Sequence, residues 1–408
     1  MFLEYSALIS GIVIKVASLY FTVMCLFFWI RKPAEKTHDP KTRFACLIPA
    51  RNEAKVIGEL VRSLREQDYP ADLVEIYVIP NNCTDDTELA ARRAGAEIIN
   101  VRGPIYNKGD VLHQAIGMLL PREDIDCFLL LDADNVADKG FLKAMNDAFL
   151  NGAEVTKSRI EAKNPYDSWI SGCYGLYYNV FNLFFNESRS RLGLSPKLIG
   201  TGLGIKRDVL LRMGGWNTVT IAEDTEFNAD CVLAGCKIRW VPKAVTYDEA
   251  PEEFGLSLKQ RRRWVGGIMA VAKERSADLL RGIGKGRRAR QLFDMFMILS
   301  MPYVQVASLI PLLLTMAAGI AYGKALTVLL VLLAGTAVSC AGVMLFALVL
   351  AVMSPYKTLD ILKSVLMFPV FAISWMPLSV LAFFGGAGVW EQIRHQRAVG
   401  VRELNYIR

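Results

Sequence analysis

The stretch FACLIPARNEAKVIGELVRSLREQ, residues 44–67, joins a short apolar run to an amphipathic helical pattern. FACLIPA predicts a buried strand, and EAKVIGELVRSLREQ predicts a helix. The alternation continues through LVEIYVIP, TDDTELAARRAG, AEIINV, KGDVLHQAIGMLL and CFLLLDADN. Strands interleaved with helices of this length predict an α/β domain with a mostly parallel sheet and helices on both faces. Ligands of such sheets bind at the carboxyl ends of the strands.

The composition is that of a membrane-associated protein with anionic partners. The chain has 408 residues, of which 53% are hydrophobic, and a formal net charge of +7. The basic residues cluster beside apolar segments without forming a continuous stripe, so no nucleic-acid partner is expected. Eight cysteines are scattered singly, and only three histidines are present. This pattern argues against a structural zinc site and favours a reducing, cytosolic setting for the middle of the chain.

An apolar stretch precedes the α/β region. Residues 7–30 carry a single charge, Lys15, and exceed the ~20 residues needed to cross a bilayer. Because a basic start and a small-residue cleavage site are lacking, residues 1–34 are predicted to be an anchor rather than a removed signal peptide. The basic RKPAEK that follows places the middle domain, residues 35–275, in the cytosol.

Three further apolar stretches occupy the C-terminal region, residues 276–408, which predicts a multi-pass protein of the cell membrane. They run over about 292–322, 326–353 and 362–390, and each is long enough to cross. Four crossings would put the tail WEQIRHQRAVGVRELNYIR outside, whereas its basic residues favour the inside. We expect one stretch to lie along the interface or to turn back, and MFPVFAISWMPLSV, with two prolines, is the candidate.

Polar residues follow three of the predicted strands. Asp132 and Asp134 come directly after CFLLL, and such hard oxygen ligands suit magnesium or manganese. Alone, the pair is better explained as a solvated acidic turn. Asn52 follows the first strand, where it can cap the next helix or contact a ribose or a base. Asn81 and Asn82 follow LVEIYVIP and are expected to face the same crevice.

Later segments add a glycine-rich loop, an acidic helix start and a basic run. Gly200-Thr201-Gly202 allows close approach of backbone to a ligand, or is simply a turn. Glu223 and Asp224 begin a predicted helix, a position that acids favour through the helix dipole alone. LKQRRRWVGG, residues 258–267, sets four cations beside Trp264, which fits either an anion site or a basic interfacial anchor. Residues 167–191, rich in aromatic side chains, predict an interfacial helix or, equally, a buried one.

Taken in order, PARNEA, NNCTDDT, DAD, GTG, AED and QRRRW resemble the family-2 membrane glycosyltransferases with a GT-A fold. That group includes hyaluronan, chitin, cellulose and poly-N-acetylglucosamine synthases, and also ceramide glucosyltransferase. The resemblance extends by motif from Phe44 to about Gly267, and elsewhere by the layout of apolar spans. QRRRW matches the family's Gln-x-x-Arg-Trp and, together with AED, is the most specific part.

The resemblance implies an inverting transferase of hexosyl or N-acetylhexosaminyl groups that uses a UDP-sugar and Mg²⁺ or Mn²⁺. It makes Asp224 the general base, with Glu223 beside it, and it makes Asp134 the metal ligand, assisted by Asp132. Donor contacts are implied for Ala50, Asn52, Glu53, Asn81, Asn82, Lys108, Asp132, Gln260 and Arg263. Acceptor contacts are implied for Gly200, Thr201, Gly202 and Trp264.

One departure from the family pattern concerns the donor base. Many members carry an aspartate that contacts uracil where this chain has Asn81, although an amide can also hydrogen-bond a base edge. For the product, both polymer and lipid enzymes of the family use these motifs, but four spans with three interfacial segments suit a narrow channel and favour a growing polysaccharide that is passed across the membrane. The alternatives are the transfer of one sugar to a membrane lipid and an inactive membrane scaffold of the same fold. The sugar, the linkage and the oligomeric state are not specified by the sequence.

Overall fold

The predicted α/β class is confirmed by a computed structural model, which describes residues 2–30, 35–286, 288–386 and 395–404. The predicted strand AEIINV is reduced to two residues at the sheet edge. Within the described ranges, one sheet holds β1 Phe44–Ala50, β2 Val74–Pro80, β3 Glu97–Ile98, β4 Cys127–Leu130, β5 Val136–Ala137, β6 Val155–Ala162, β7 Leu203–Lys206 and β8 Ile238–Asp248.

The sheet is mostly parallel, but two strands, β7 and β5, run in the opposite direction, which the sequence did not predict. Its order is β3-β2-β1-β4-β7-β6-β8-β5. β1 is parallel to β2 and β4, and β2 is parallel to β3. β7 runs antiparallel to both β4 and β6, whereas β8 is parallel to β6 and antiparallel to β5. The segment before β7 therefore lies at the edge where β1, β2 and β4 end.

Helices cover both faces of the sheet, as the alternating pattern predicts. In chain order, the helices up to residue 234 are α1 Phe2–Cys25, α2 Ile57–Arg65, α3 Thr87–Ala94, α4 Lys108–Leu119, α5 Phe141–Leu150, α6 Trp169–Asn179, α7 Ser188–Arg191, α8 Arg207–Met213 and α9 Glu223–Ala234. Side chains of α2, α3 and α5 form one buried cluster with the sheet, and those of α4, α8 and α9 form the other. A π-helical turn, Val180–Glu187, joins α6 to α7, so the predicted helix 167–191 is present as one long helical stretch.

The C-terminal part of the described chain is helical. It contains α10 Phe254–Gly284, α11 Ala289–Ala307, α12 Leu309–Ala321, α13 Ala325–Met353, α14 Leu362–Ile373, α15 Trp375–Gly385 and the short α16 Val401–Leu404. The long helix α10 carries the basic run. Residues 31–34, 390–394 and 405–408, which belong to the predicted basic flank and tail, lie outside the described residues.

Four apolar helical stretches in the described residues are long enough to cross a bilayer, as predicted. They are Glu4–Trp29, Ala289–Ala321, Ala325–Met353 and Leu362–Gly385, and they mark the chain as a membrane protein. The last is interrupted at Ser374, inside the proline-containing stretch singled out from the sequence. Arg261 of α10 binds the chain next to Ser374. Its guanidinium donates to the Phe371 carbonyl at 3.0 Å and to Ser374 Oγ at 2.8 Å. The guanidinium also lies over the Phe371 ring, 4.2 Å from its centroid.

The N-terminal helix is fastened to the C-terminal helices by a buried polar cluster. The Tyr20 hydroxyl donates to Asp294 Oδ1 of α11 at 2.7 Å. Arg189 Nε of α7 donates to the other oxygen of the same carboxylate at 3.0 Å, and both members of that ion pair are almost fully buried. α1, α7 and α11 are thus joined through one carboxylate.

Candidate active site

Gly200 lies between the two acidic segments predicted to act. Asp132 follows β4, Asp224 lies in the first turn of α9, and Gly200 lies in the loop that leads into β7. A Cβ atom placed on Gly200 would lie 3.2 Å from Asp132 Oδ2 and 3.9 Å from Asp224 Oδ2. Because β7 pairs with β4, the sheet itself brings this loop against the end of β4. Three segments that are far apart in sequence therefore meet at one edge.

Lys108 ties this cluster together. Asn107 caps α4 through a reciprocal pair of bonds with Asp110, which fixes Lys108 as the first helical residue. Its ammonium group pairs with Asp132, donates to the Gly200 carbonyl at 2.8 Å and lies 3.7 Å from Glu223 Oε1. Burial alone would lower the pKa of Lys108, but the carboxylates of Asp132 and Glu223 raise it above its ordinary value. Lys108 is therefore a fixed cation among three acids, Asp132, Glu223 and Asp224.

The two acids at the start of α9 have different surroundings. Asp224 accepts hydrogen bonds from backbone amides at both oxygens, from Gly200 N–H at Oδ2 and from Thr225 N–H at Oδ1. Glu223 is 8% exposed. Burial, reinforced by the charge of Asp224 and opposed by Lys108, raises the pKa of Glu223 to about 7. Glu223 can therefore exchange a proton near neutral pH, whereas the carboxylate of Asp224 is held in one orientation by its two backbone amides.

The loop is supported from below by polar residues that the sequence did not single out. Asn135 bonds the Thr201 hydroxyl and donates to Asp248 Oδ1 at 2.8 Å. Burial, together with the charge of Asp134, raises the pKa of Asp248 to about 7 against the opposing hydrogen bond from Tyr178. In the sequence, the position of Asn135 directly after Asp132-Ala133-Asp134 was the only feature that could have indicated its role in this loop.

Lys157 of β6 is a second unpredicted support. Its side chain is almost fully buried, and Nζ donates to the Thr201 carbonyl at 2.7 Å and to the Ser158 carbonyl at 2.9 Å. Burial lowers the pKa of Lys157 to about 7. Gly202 completes the loop against the same strand, since a Cβ there would lie 1.7 Å from Ser158 Oγ, and its φ is +63°. The presence of a lysine within the strand VTKSRIEA was the feature of the sequence that could have indicated this support.

Asp134 is paired differently from Asp132. It is 6% exposed, and its Oδ2 lies 3.8 Å from Nε2 of His395, a residue of the C-terminal tail. The other ring nitrogen of His395, Nδ1, lies 2.9 and 3.0 Å from the two carboxylate oxygens of Glu53. Burial lowers the pKa of His395, but the charges of Asp134, Glu53 and Glu249 outweigh it and raise the pKa to about 10. No pattern in the sequence predicts that the tail lies here.

The residues after β1 and β2 form one side of the same edge. The Ala50 carbonyl accepts from the backbone and side-chain amides of Asn81 at 2.9 and 3.1 Å. Asn52 Oδ1 accepts from Thr84 N–H at 2.7 Å. Asn52 and Asn82 have positive φ angles of 58° and 48°, a conformation that asparagine tolerates better than most residues. The predicted donor residues of these two loops are thus adjacent.

The residues of the basic run on α10 contact different parts of the structure. Gln260 accepts from the Tyr174 hydroxyl at 2.8 Å, and Arg261 points to the apolar segment described above. Arg263 and Trp264 are half-buried. The Trp264 ring is nearly parallel to those of Tyr177 and Trp375, with each pair of centroids 6.4 Å apart. The anionic partner expected for the run can therefore involve Arg263, but not Arg261 in this arrangement.

The acidic edge, where Asp132, Asp134, Glu223 and Asp224 lie at the carboxyl ends of the parallel strands, is the place where a divalent cation would bind. In the part of the chain that the structure describes, no group of three or more His, Cys, Asp or Glu side chains is arranged to hold an ion. Mg²⁺ is usually held by one or two carboxylates, with water and substrate phosphate oxygens completing the shell. Asp134 and Asp132 supply such a donor set, so the residues fit a cation that binds together with a diphosphate.

Comparison with known sequences gives a family and several relatives. Residues 127–384, more than half of the chain, match the family described as "Glycosyl transferase family group 2". The chain is 28% identical over 264 residues to the probable glycosyltransferase YdaM of Bacillus subtilis, which covers 62% of this chain and 61% of that one. It is 26% identical over 287 residues to the beta-monoglucosyldiacylglycerol synthase of Nostoc sp., covering 66% and 57%.

A relative with a polymeric product and a solved structure complete the comparison. The chain is 24% identical over 277 residues to the poly-beta-1,6-N-acetyl-D-glucosamine synthase of Staphylococcus epidermidis, covering 65% and 64%. It spans about three fifths of the length of these curated relatives. The mannosyltransferase PcManGT from Pyrobaculum calidifontis, solved with GDP-Man and Mn²⁺, shares the fold, with a TM-score of 0.59, 21% identity and coverage of 91% and 99%.

Proposed function

The chain belongs to glycosyl transferase family group 2, and from that premise we propose that it is a membrane-bound, inverting transferase. It moves a hexosyl or N-acetylhexosaminyl group from a UDP-sugar to a growing polysaccharide and passes the product across the membrane. The observation that carries the proposal is the position of Gly200 between Asp132 and Asp224. The acid assigned to the diphosphate and the acid assigned to the acceptor lie on either side of one loop.

The chemistry follows from this placement. Asp224 takes the proton of the acceptor hydroxyl while the oxygen attacks the anomeric carbon from the face opposite the diphosphate. The bond from the anomeric carbon to the diphosphate oxygen breaks, and its electron pair leaves with UDP. The two backbone amides on Asp224 fix the direction of its carboxylate. Glu223, with its pKa raised to about 7, is the next candidate for the base.

Positive charge near Asp132 supports departure of the diphosphate. Lys108 is fixed beside Asp132, and Arg263 of α10 supplies a guanidinium that can pair with phosphate oxygens. Asp134 and Asp132 would hold Mg²⁺ or Mn²⁺, which neutralises charge on the leaving diphosphate when bound. The uridine is assigned to the edge formed by the loops after β1 and β2, where Ala50, Asn81 and Asn82 are adjacent.

The acceptor is assigned to the aromatic side of the site. Trp264 of α10 lies beside the rings of Tyr177 and Trp375. Aromatic faces pack well against the apolar face of a sugar ring. Gly200, Thr201 and Gly202 would contact the acceptor from the loop side.

The C-terminal tail bears on membrane topology. Gln396 and Arg397 donate backbone hydrogen bonds to Glu249 of the α/β domain, so the tail and that domain lie on the same side of a bilayer. An even number of crossings must therefore separate α10 from the tail. We assign the non-crossing stretch to Leu362–Gly385, which is more buried against the rest of the chain than the other three apolar stretches and is hydrogen-bonded by Arg261. The basic flank after α1 supports a cytosolic position of the α/β domain.

A second candidate function is the transfer of one sugar to a membrane lipid. The relative from Nostoc sp. is named a beta-monoglucosyldiacylglycerol synthase. The aromatic cluster of Tyr177, Trp264 and Trp375 joins α6 and α10 to the apolar α15, where a lipid-borne acceptor would arrive. Both functions use the same acidic edge and differ only in the acceptor.

The test uses the full chain reconstituted in lipid nanodiscs with a panel of UDP-hexoses and UDP-N-acetylhexosamines. UDP release and the radiolabelled product are measured together, with Asp224→Asn as the inactive control. We expect release from one donor and a product of high mass that stays in the aqueous phase. A labelled product that is small and extracts into chloroform would establish the second candidate instead. Absence of release from every donor, with Mn²⁺ and lipid present, would overturn the assignment as a UDP-sugar transferase.

A further inference from the structure

The segment SPKLIG, which begins at Ser195 and ends at Gly200, leads into the glycine-rich loop and lies along α9. Asn228 of α9 donates to Ser195 Oγ at 3.0 Å and accepts from Leu198 N–H at 3.2 Å. Asp224, one turn earlier on the same helix, accepts from Gly200 N–H. The segment is therefore tied at three points to the helix that carries the acid assigned as the general base.

Lys197 lies in the middle of this segment, with a fixed backbone and an unpaired ammonium group. Its N–H donates to Oδ1 of the buried Asn186 at 2.9 Å. The side chain is half-buried, and Nζ lies 5.5 Å from the centroid of the Phe181 ring, within the range of a cation–π contact. The residues that the structure describes form no hydrogen bond and no ion pair with Nζ. The main chain thus holds the cation in place while its charge stays available.

Phe181 connects Lys197 to the aromatic cluster that was assigned to the acceptor. It belongs to the π-helical turn Val180–Glu187, and turns of this kind are rare and frequently lie at functional sites. The Phe181 ring centroid is 4.8 Å from that of Tyr177, which in turn is stacked on Trp264. Lys197 is therefore at one end of a row of three rings, on the side of the site where the acceptor is expected.

The surroundings of Lys197 favour a bound anion. Burial lowers the pKa of Lys197 to about 8 against the opposing charge of Asp224, and the charge of Arg189 adds to the lowering. The group is still mostly protonated at neutral pH, and a cation taken out of water without a partner costs free energy. Lys197 and Gly200 are three positions apart, so their Cα atoms are at most about 11 Å apart. An anion at Lys197 and a hydroxyl at Asp224 can therefore belong to one acceptor molecule.

We propose that Lys197 selects an acceptor that carries an oxyanion, a carboxylate or a phosphate group, close to the hydroxyl that receives the sugar. The ammonium group pairs with the oxyanion while the neighbouring part of the acceptor packs against the row of rings. The proposal rests on the proposed function and deepens it, because it specifies the chemical class of the acceptor. The phosphate of a lipid headgroup and the carboxylate of an acidic sugar present the same chemistry, and the test separates these two sources.

The first test compares matched acceptors with the full chain in phosphatidylcholine nanodiscs. The lipid pair is dihexanoylphosphatidylglycerol and dihexanoylglycerol, and the sugar pair is cellobiouronic acid and cellobiose. We expect the wild-type protein to prefer the charged member of one pair by roughly 10–100-fold in kcat/KM, mainly through KM, the usual effect of one hydrogen bond to a charged group. Preference within the lipid pair identifies a lipid phosphate as the source, and preference within the sugar pair identifies an acidic sugar. Equal use of both members of both pairs would overturn the proposal.

Variants of Lys197 separate binding of the anion from packing. Lys197→Met should raise KM for the charged acceptor towards that of its neutral match, whereas Lys197→Arg keeps the cation and should keep the preference. Lys143→Met, at an exposed position of α5, is the matched control and should behave as wild type. Wild-type preference in Lys197→Met would contradict the proposal. So would a loss of the same size for charged and neutral acceptors, because it would indicate that the side chain only packs against Phe181.

A second measurement requires no turnover. The wild-type protein in nanodiscs is treated with an acetylating N-hydroxysuccinimide ester, and the acetylation of each lysine is followed by mass spectrometry of the digested protein. Dihexanoylphosphatidylglycerol or cellobiouronic acid should slow the acetylation of Lys197 several-fold, and the neutral match should not. Lys143 in the same digest is the internal reference and should react at one rate throughout. Lack of protection by either anion would exclude a site at Lys197.

The outcomes for this site and for the proposed function are distinguishable. Protection of Lys197 by an anion in a protein that releases UDP from no nucleotide-sugar would leave the anion site standing and remove the transferase assignment. UDP release by a protein that uses charged and neutral acceptors equally would retain the transferase and remove the anion site.

Discussion

Gly172 of α6 approaches Ser364 of α14 so closely that a Cβ placed on Gly172 would lie 2.1 Å from Ser364 Oγ and 2.9 Å from the Pro165 carbonyl. One turn further along α6, a Cβ on Gly175 would lie 2.7 Å from the Tyr356 ring. The Tyr356 hydroxyl in turn accepts from Ala162 N–H of β6 at 2.9 Å. Because Gly172 and Gly175 have no side chains, Tyr356 and α14 can pack closely against α6 of the α/β domain.

Gly172→Ala should loosen this docking. The added methyl group cannot be accommodated without movement of the helix backbone, and overpacking of this kind costs about 1–3 kcal/mol. We expect the thermal unfolding midpoint in detergent to fall by several degrees. Gly117→Ala on α4 is the matched control, since nothing lies within 4 Å of a Cβ there, and alanine favours a helix. Equal midpoints for both variants would contradict the close contact.

Asp224→Asn should abolish turnover and preserve donor binding. The amide keeps the shape of the carboxylate but cannot take a proton, and loss of a general base typically reduces the rate by 10²–10⁴-fold. UDP binding by calorimetry and UDP release are to be measured on the same preparation. Turnover at the wild-type rate would exclude Asp224 as the base. Joint loss of binding and turnover would indicate a donor-site role and direct attention to Glu223.

Removal of divalent cations should stop the reaction. EDTA is expected to abolish UDP release, and Mn²⁺ or Mg²⁺ should restore it, because the charge on the departing diphosphate would otherwise be neutralised only by Lys108 and Arg263. Asp134→Asn should raise the Mn²⁺ concentration needed for half-maximal release at least tenfold. Full activity in EDTA would remove the cation from the mechanism.

Trp264→Ala should impair use of the acceptor more than binding of the donor. Stacking by aromatic side chains contributes ~0.5–1.5 kcal/mol beyond the area buried, so we expect a loss in kcat/KM for the acceptor of up to about tenfold. Trp29→Ala is the control, because it removes an exposed tryptophan outside this cluster, and it should leave acceptor use unchanged. A fall in UDP-sugar affinity with unchanged acceptor dependence would assign Trp264 to the donor site instead.

Lys157 should make stability depend on pH. Burial lowers its pKa to about 7 from the ~10.4 of an exposed lysine, so between these values the unfolded chain binds one more proton than the folded chain. The contribution of Lys157 to the free energy of unfolding therefore increases as the pH rises above 7. Between pH 6 and pH 9 this increase is about 2–3 kcal/mol. Unfolding midpoints of wild-type protein and Lys157→Met should diverge in that direction. Lys143→Met, at an exposed position of α5, should run parallel to wild type.

The elements of the α/β domain were predictable because their pattern is local. The strand FACLIPA and the helix KGDVLHQAIGML lie where periodicity predicts them. The reversal at β7 was not predictable, since its four residues, LGIK, carry no pattern that distinguishes one strand direction from the other. The approach of Gly200 to Asp132 follows from this reversal, so both residues could be singled out from the sequence whereas their arrangement could not.

The supporting charges escaped prediction for a different reason. Lys157 meets the Thr201 carbonyl 44 positions later, and His395 meets Glu53 342 positions earlier. No periodicity links such pairs, and a basic tail after an apolar helix is ordinarily explained by membrane topology. Their pKa values depend on burial and on neighbouring charges that only the folded chain brings together.

The polar cluster of Tyr20, Arg189 and Asp294 has a consequence for the order of assembly during synthesis. Tyr20 and Asp294 are 274 positions apart in the chain, and chains grow at ~5–20 residues per second. The first apolar helix therefore waits on the order of 10–60 s in the bilayer before the carboxylate that fastens it has been made. During that interval it has only lipid as a neighbour on that face, and the α/β domain must begin to fold while tethered to a helix that is not yet docked.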